Sequence, residues 1–273
     1  MKPLLESVVL MKRFLGICLF LTAFAANADT AQDYEKALIS FNQEEFRESY
    51  IHLKNALQKT PEHLPSKLLI GRIFLIDGYP DAAITEFEEI VQAGADFNLV
   101  ALPLANAYLM SRQFDKVTAL NIPRNANKAT QLDIYLLKAN AYIQQDNYLQ
   151  AEDTFQRARI KFGDDIRVLN GLAQIALLNK DYLKSKQIIA QALIIAPSNA
   201  QSHMISGLAY NAEKQYQQAL TAFEVAYENA PNDPAIMRAL ANSYAQSGNI
   251  NKASNIVAKI EAQTPGSMQT KLL

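Results

Sequence analysis

The side chains that most often perform catalysis or hold metals are few in this sequence and widely separated. The three histidines are His52, His63 and His203, and none has a cysteine or carboxylate at the spacing of a metal-ligand motif. The one cysteine, Cys18, has no second cysteine for an intrachain disulfide. The sequence contains neither a nucleophile elbow nor a glycine-rich phosphate loop. These observations predict a protein that is not an enzyme and that holds neither a metal nor a cofactor.

The composition favours long helices. The 273 residues include nine glycines and ten prolines, so turns should be few and regular elements long. With 49% apolar and 19% charged residues, the chain lies outside the disordered and low-complexity classes. Lysine and arginine number 26 against 27 acidic residues, which leaves a net charge of −1. Because no basic excess is present, we do not expect a nucleic-acid partner.

The amino terminus has the three parts of an export signal in their usual order. A basic pair, Lys12 and Arg13, precedes an apolar stretch over residues 14–26. Small residues at Ala26 and Ala28 then form a cleavage site of the small-x-small type. The apolar stretch is shorter than the roughly 20 residues that a transmembrane helix requires.

We therefore expect a signal peptide over residues 1–28, with Met11 as an alternative start. Cleavage after Ala28 would remove Cys18 and leave no transmembrane segment, and Ile17 before that cysteine argues against a lipid anchor. The mature protein is then predicted to be periplasmic or envelope-associated in a Gram-negative bacterium. The alternative interpretation of this stretch is a buried amphipathic helix.

The remainder of the sequence repeats every 34 residues, from about Thr30 to the end. The repeats begin near residues 30, 64, 98, 132, 166, 200 and 234. The most regular column holds small residues: Ala37, Gly71, Ala105, Ala139, Ala173, Gly207 and Ala241. A second small column, with one valine, consists of Ser49, Ala83, Val117, Ala151, Ser185, Ala219 and Ala253. A period of this length indicates an array of stacked structural units.

Each unit has the pattern of a helical hairpin. Apolar residues recur at helical spacing, and the small residues would let two antiparallel helices approach closely. Polar pairs such as Gln145-Asp146 and Asn179-Lys180 separate the two helices. Pro61, Pro197 and Pro231 share a column near the repeat end, where proline stops a helix.

This pattern resembles the tetratricopeptide repeat (TPR). The resemblance implies an all-α fold, a right-handed α-solenoid of about seven helical hairpins, over residues 29–266. A short tail, 267–273, would follow and would cap the last hairpin poorly, so this end is a candidate partner contact.

The third repeat departs from the pattern. Pro103 should delay or kink its first helix, and Pro123 should stop its second. The segment from Asn121 to Thr130 is predicted to be a loop or broken helix. Two interpretations stay open: sequence drift within one repeat, or a hinge between repeats 1–2 and repeats 4–7.

In TPR proteins the first helices line a concave groove, so the resemblance places certain columns there. Three consecutive repeats carry an amide at the ninth position, namely Asn106, Asn140 and Gln174. Three carry leucine at the fifth position, namely Leu68, Leu102 and Leu136. Arg238 occupies the fifth position of the last repeat. The groove is predicted to bind a protein or peptide, because an amide both donates and accepts hydrogen bonds. The alternative is that these amides only keep the groove soluble.

Two stretches, 49–59 and 67–71, resemble the opening repeats of bacterial TPR proteins linked to PEP-CTERM/exosortase sorting and exopolysaccharide production. Gly94-Ala95-Asp96 and Ile122-Pro123 add to that resemblance. It implies an exported scaffold at the cell envelope. Two alternatives are a pilus or secretion-system assembly factor and a periplasmic carbohydrate-binding or enzyme-accessory module.

Overall fold

The computed structural model describes residues 28–263, and all of their regular structure is helical. The predicted signal peptide, apart from residue 28, and the predicted tail lie outside these residues. Within these residues fourteen α-helices follow one another, separated by short turns. They are α1 (28–42), α2 (Phe46–Lys59), α3 (Leu64–Ile76), α4 (Pro80–Gln92), α5 (Ala101–Met110), α6 (Phe114–Ala119), α7 (Lys128–Gln144), α8 (Tyr148–Phe162), α9 (Ile166–Leu178), α10 (Tyr182–Ile195), α11 (Ala200–Ala212), α12 (Tyr216–Asn229), α13 (Pro234–Gln246) and α14 (Ile250–Gln263). The predicted all-α fold of seven helical hairpins is confirmed.

The chain divides into two compact units, one ending at Ala126 and the other beginning at Asn127. Within the described residues, the first unit holds α1–α6 and a 3-10 turn at Phe97–Leu99, and the second holds α7–α14. In the part of the chain that the structure covers, no helix is both long enough and apolar enough to cross a membrane.

Every hairpin turn uses the same backbone conformation at the fifteenth position of its repeat. Five of these positions are left-handed residues other than glycine, with φ between 55° and 62°: Glu44, Arg112, Asp146, Lys180 and Lys214. The other two are Gly78 and Gly248, with φ of 78° and 79°. The left-handed residue reverses the chain after the first helix and lets the second helix begin three or fewer residues later.

The small residues of the first helices make room for phenylalanine rings. A Cβ atom on Gly71 would lie 2.4 Å from the ring of Phe87 in the same hairpin. Gly171 of α9 receives the ring of Phe155 from the preceding hairpin, where a Cβ would lie 2.2 Å away. These distances are far below van der Waals contact, so each glycine permits one close helix approach.

The second small column also has a defined role where it is serine. The buried hydroxyl of Ser49 donates to the carbonyl oxygen of Ala37 at 2.8 Å, and that of Ser185 donates to Ala173 at 2.9 Å. Each bond joins the second helix of a hairpin to its first helix. The small serine side chain therefore permits the close approach of the two helices and also holds them together by a hydrogen bond.

The third hairpin is shorter than the others, as its prolines predicted. A 3-10 turn precedes α5, which is delayed to Ala101, and α6 ends at Ala119 after six residues. Residues 120–127 contain no helix. The predicted loop is therefore confirmed over 121–127 but wrong over 128–130, which form the first turn of α7. The reason is Asn127, whose side chain caps α7 by accepting a hydrogen bond from the Thr130 amide at 2.8 Å.

Candidate functional site

The second unit contains a pocket of about 400 Å³, which is lined mainly by the first helix of each of three successive hairpins. Helices α7, α9 and α11 supply most of the walls, and α8 contributes one ring. The lining residues are Leu136, Asn140, Phe155, Ile166, Arg167, Asn170, Gly171, Gln174, Asn199 and Gln201. Five of these ten are amides, and four are apolar or glycine. We call this group the amide pocket.

Three amides of the pocket are available to a ligand. The side chains of Asn140, Gln174 and Gln201 have no hydrogen-bond partner anywhere in the stretch 28–263. Asn140 and Gln201 are exposed, and Gln174 is half-buried. Each amide offers two donors and one acceptor, which matches the alternating N–H and C=O groups of an extended peptide backbone.

The other two amides hold the pocket wall in place. Asn170 is buried on α9, and its Nδ2 donates to Oδ1 of Asn199 at 3.1 Å. Asn199 caps α11 by accepting from the backbone amide of Ser202 at 2.9 Å. The hydroxyl of Ser202 lies 2.7 Å from Oδ1 of Asn170, to which it donates. This network joins the fifth repeat to the sixth, so the wall is fixed before any ligand arrives.

The rim of the pocket carries a charged cluster that is already neutralised. The Arg167 guanidinium donates to both carboxylate oxygens of Asp165, at 3.0 and 3.1 Å, and to Asp133 at 2.7 Å. These bonds, led by that to Asp165, raise the pKa of Arg167. Burial alone would raise the pKa of Asp165, but the bonds from Arg167 outweigh it and lower that pKa. One cation thus faces two carboxylates, so the rim favours a neutral or weakly basic ligand over an anionic one.

The structure brings some of the predicted groove residues together and leaves others apart. Leu136, Asn140 and Gln174 line the amide pocket. Asn106 belongs to the first unit, where its amide donates to the carbonyl oxygen of Leu102 on its own helix at 3.1 Å. Leu68 and Leu102 are half-buried on α3 and α5 of the first unit, and Arg238 is exposed on α13 outside the amide pocket.

Seven residues of the pocket were not among the predicted site residues, and four of these are polar: Arg167, Asn170, Asn199 and Gln201. The signal for Asn170 was present, because it is an amide in a column that is leucine in three consecutive repeats. Asn199 carried the signal of a helix cap, since asparagine precedes a helix that begins at Ala200. The positions of Arg167 and Gln201 depend on how neighbouring repeats stack, which the spacing alone does not specify.

The histidines take part in ordinary structural contacts. A ring nitrogen of His63 lies 2.8 Å from the Ser66 hydroxyl, and burial lowers the pKa of His63. His203 lies 2.8 Å from the carbonyl oxygen of Pro197. Among residues 28–263, no group of three or more histidine, cysteine, aspartate or glutamate side chains is placed to hold a metal ion.

Comparison with family models decides the family. One tetratricopeptide-repeat model matches residues 136–199 and 184–234, and a second matches residues 210–272. Together they span 136–272, which is half of the chain and includes the amide pocket. This chain is a TPR protein.

Solved structures share the TPR fold with this chain. A crystal structure of a TPR protein from Parabacteroides merdae is 14% identical, with a TM-score of 0.74 over 87% of this chain and 94% of that one. The Cut9–Hcn1 hetero-tetramer of the APC/C is 19% identical, with a TM-score of 0.60 over 80% of this chain and 43% of that one. At such identities the likeness concerns the fold. No curated protein sequence matches this chain.

Membership in the TPR family carries a general consequence. TPR arrays are scaffolds for protein interaction, they typically bind proteins or peptides, and they are generally not catalytic. Such a protein acts through the exposed surface of its stacked hairpins, which binds partners, rather than through a catalytic site.

Proposed function

We propose that this TPR protein is an exported, non-enzymatic scaffold that binds an extended segment of a protein partner in the amide pocket. One observation carries the proposal: Asn140, Gln174 and Gln201 surround an apolar floor and have no hydrogen-bond partner of their own in the described chain. An extended peptide supplies both the backbone groups for these amides and the side chains for the floor.

The electrostatics of the pocket support a peptide over a charged ligand. Because Arg167 is paired with Asp133 and Asp165, no unpaired cation lines the pocket to receive a carboxylate or phosphate. This agrees with the absence of lysine at the fifth position of the repeats, where TPR grooves that clamp a carboxylate carry it. The segment bound would therefore be internal to its protein rather than a free carboxyl terminus.

The place of action that we propose is the bacterial cell envelope. Support comes from the order of the basic, apolar and small-residue segments before Asp29. The resemblance of residues 49–59 and 67–71 to TPR proteins of PEP-CTERM sorting supports a role in exopolysaccharide production or surface-protein sorting. Intact-mass measurement of the mature protein tests export: cleavage between Ala28 and Asp29 is expected, and a retained leader or a lipid at Cys18 would contradict it.

Site-specific photocrosslinking in intact cells tests the binding site. A benzoyl-phenylalanine is placed at Asn140 in the pocket and, as a control, at the exposed Gln217 on α12. We expect a protein adduct in the envelope fraction from position 140 and none from position 217. Equal adducts from both positions, or none from either, would remove the support for a specific site.

Alanine variants then test the amides. The double variant Asn140→Ala and Gln174→Ala removes no internal hydrogen bond, so its helicity should be unchanged. Two interface hydrogen bonds at about 1 kcal/mol each predict a loss of affinity for the crosslinked protein of about 30-fold. Gln217→Ala with Gln218→Ala is the matched control. Unchanged affinity would mean that the amides are solvated surface, and binding of neutral oligosaccharides in place of protein would favour a carbohydrate-binding module.

A further inference from the structure

The outer helices of the fourth and fifth repeats expose large apolar side chains at two positions where the other repeats have none. Leu149 and Leu183 occupy the eighteenth position, with 75% and 63% of their surface exposed. Ile160 and Ile194 occupy the twenty-ninth position and are 86% and 82% exposed. These are the most exposed large apolar residues on α8 and α10, and they recur 34 residues apart.

The same two positions carry polar, charged or alanine residues in every other repeat. At the eighteenth position these are Arg47, Asp81, Asp115, Gln217 and Asn251. At the twenty-ninth they are Gln58, Gln92, Ala126, Glu228 and Ala262. Exposed leucine and isoleucine at four such positions lower solubility unless something covers them, so the patch indicates an interface.

Helices α8 and α10 lie side by side and present one continuous face. Lys184 Nζ donates to Glu152 Oε1 at 2.7 Å near the beginning of the two helices. Arg159 Nη2 donates to Gln191 Oε1 at 3.1 Å near their ends. The two leucines therefore lie at one end of the face and the two isoleucines at the other, about 16 Å apart along the helix axes.

The classes of side chain along this face follow the same order in both directions, namely apolar, polar, polar and apolar. On α8 the outward residues are Leu149, Asp153, Arg157 and Ile160, which fall within one stripe of the helix. The midpoint of the two apolar residues lies between positions 154 and 155, and that of Asp153 and Arg157 lies at position 155. On α10 the corresponding series is Leu183, Gln187, Gln191 and Ile194.

A two-fold axis through the centre of this face therefore matches every group with a suitable partner. Antiparallel apposition places leucine against isoleucine at both ends. It also places Asp153 of one copy near Arg157 of the other. We propose that the face formed by Leu149, Asp153, Arg157 and Ile160 of α8 and their counterparts on α10 binds the same face of a second copy, in a two-fold symmetric homodimer.

A second copy fits this face better than an unrelated partner, because only self-association requires the apolar and charged residues to be symmetric about one centre. Asp153 and Arg157 form an ion pair at 2.9 Å on one helix, and both side chains are more than half exposed. Each can therefore also pair with the opposite charge on a second copy. A homodimer would carry two amide pockets, which would make the scaffold bivalent.

Sedimentation velocity of the mature chain, from about 1 to 200 µM, tests the proposal over the range expected for a small interface. We expect a concentration-dependent dimer. Leu183→Asp should weaken the dimer about tenfold or more, whereas Ile250→Asp should not. Ile250 is the matched control, since it is also 63% exposed at the start of an outer helix. Both positions are solvent-exposed, so circular dichroism should show unchanged helicity.

Charge exchange distinguishes the symmetric dimer from other associations. Asp153→Arg and Arg157→Asp, made singly, should each weaken the dimer because like charges then meet across the axis. The double exchange restores opposite charges both within the helix and between copies, so it should restore the dimer. A wild-type chain that stays monomeric throughout, or a dimer insensitive to Leu183→Asp and to the single exchanges, would overturn the proposal.

Discussion

The third and fifth repeats share one 34-residue spacing but pack differently. In the fifth, α10 has 14 residues and buries Ile188, Ile189 and Ala192. In the third, α6 has six residues and buries one, Val117. The position that Ile189 occupies in the fifth repeat is Asn121 in the third, with Pro123 two residues later. Arg124 likewise stands where the fifth repeat buries Ala192, so the lost apolar positions and the added proline together account for the shortened helix.

The shortened helix leaves a hollow of about 470 Å³ in the first unit. Polar contacts, rather than a second helix, close one side of it. The Tyr108 hydroxyl donates to Glu88 at 2.7 Å, and Lys116 lies 3.1 Å from the same carboxylate. The bond from Tyr108, aided by Lys116, lowers the pKa of Glu88 despite an opposing effect of burial. These bonds join the third repeat to the second, and the same tyrosine–glutamate bond recurs between Tyr244 and Glu224 at 2.8 Å, where the second helix is complete.

The largest expected difference between the two repeats is in hydrogen exchange. Amides of residues 121–126 lie outside any helix, whereas those of α9 lie in a buried helix between two others. We expect exchange at 121–126 to be at least about 1,000-fold faster than in the centre of α9, because local opening costs little there. Mass spectrometry with peptide-level resolution measures this. Equal protection of the two segments would contradict the comparison.

A pair of leucine truncations compares the packing directly. Leu169 is fully buried in the fifth repeat, so Leu169→Ala should lower the free energy of unfolding by about 3 kcal/mol. Leu120 lines the hollow of the third repeat and is 7% exposed, so Leu120→Ala should cost about 2 kcal/mol, because the existing hollow leaves fewer contacts to lose.

Urea denaturation measures the free energy of unfolding of both leucine variants. Hydrogen exchange in the neighbouring helices gives a second measurement for each unit. A cost of Leu120→Ala equal to that of Leu169→Ala would show that the third repeat is as well packed as the fifth.

These differences also show what the sequence could predict. Columns of small residues specify where helices approach closely, and prolines specify where they stop, so seven hairpins and the break near Pro123 could be predicted. The ninth-position column predicted equivalent roles for Asn106 and Asn140. Yet the amide of Asn106 donates to its own helix, while that of Asn140 has no partner within residues 28–263. A column assigns a face, whereas the side chain's partner depends on its immediate neighbours.

The hairpin turns provide a test in which the two repeats should behave alike. Arg112 in the third repeat and Lys180 in the fifth have φ of 58° and 62°. A left-handed conformation strains any residue with a Cβ, and glycine removes that strain at some cost in unfolded-state entropy. Arg112→Gly and Lys180→Gly should each stabilise by about 0.5–1 kcal/mol in urea denaturation. The converse change, Gly248→Ala, should lower the free energy of unfolding. If only one of the two glycine variants were stabilised, the strain in the turn would depend on the second helix of its hairpin.

The smallest expected effect on stability comes from the charged rim of the amide pocket, where Arg167 of the fifth repeat pairs with Asp133 and Asp165. The pKa of Asp165 is lowered in the folded protein, although burial opposes this, because Arg167 donates to its carboxylate. A lowered folded pKa contributes stability above the unfolded pKa, which is near 3.8, and this stability is lost as the pH falls through the folded pKa. Asp165→Asn keeps a side-chain oxygen to cap α9 but is neutral, so it cannot form the ion pair with Arg167.

The stability difference between wild type and Asp165→Asn should therefore be largest near neutral pH and should vanish as the pH falls through the lowered pKa of Asp165. Because Arg167 is half exposed, this stability difference should not exceed about 1 kcal/mol. Urea denaturation at several pH values measures this difference, with Glu228→Gln, which removes one exposed negative charge from the same unit, as the control. A difference that persists at low pH would show that it does not arise from the charge of Asp165, and the rim would then not be held by charge.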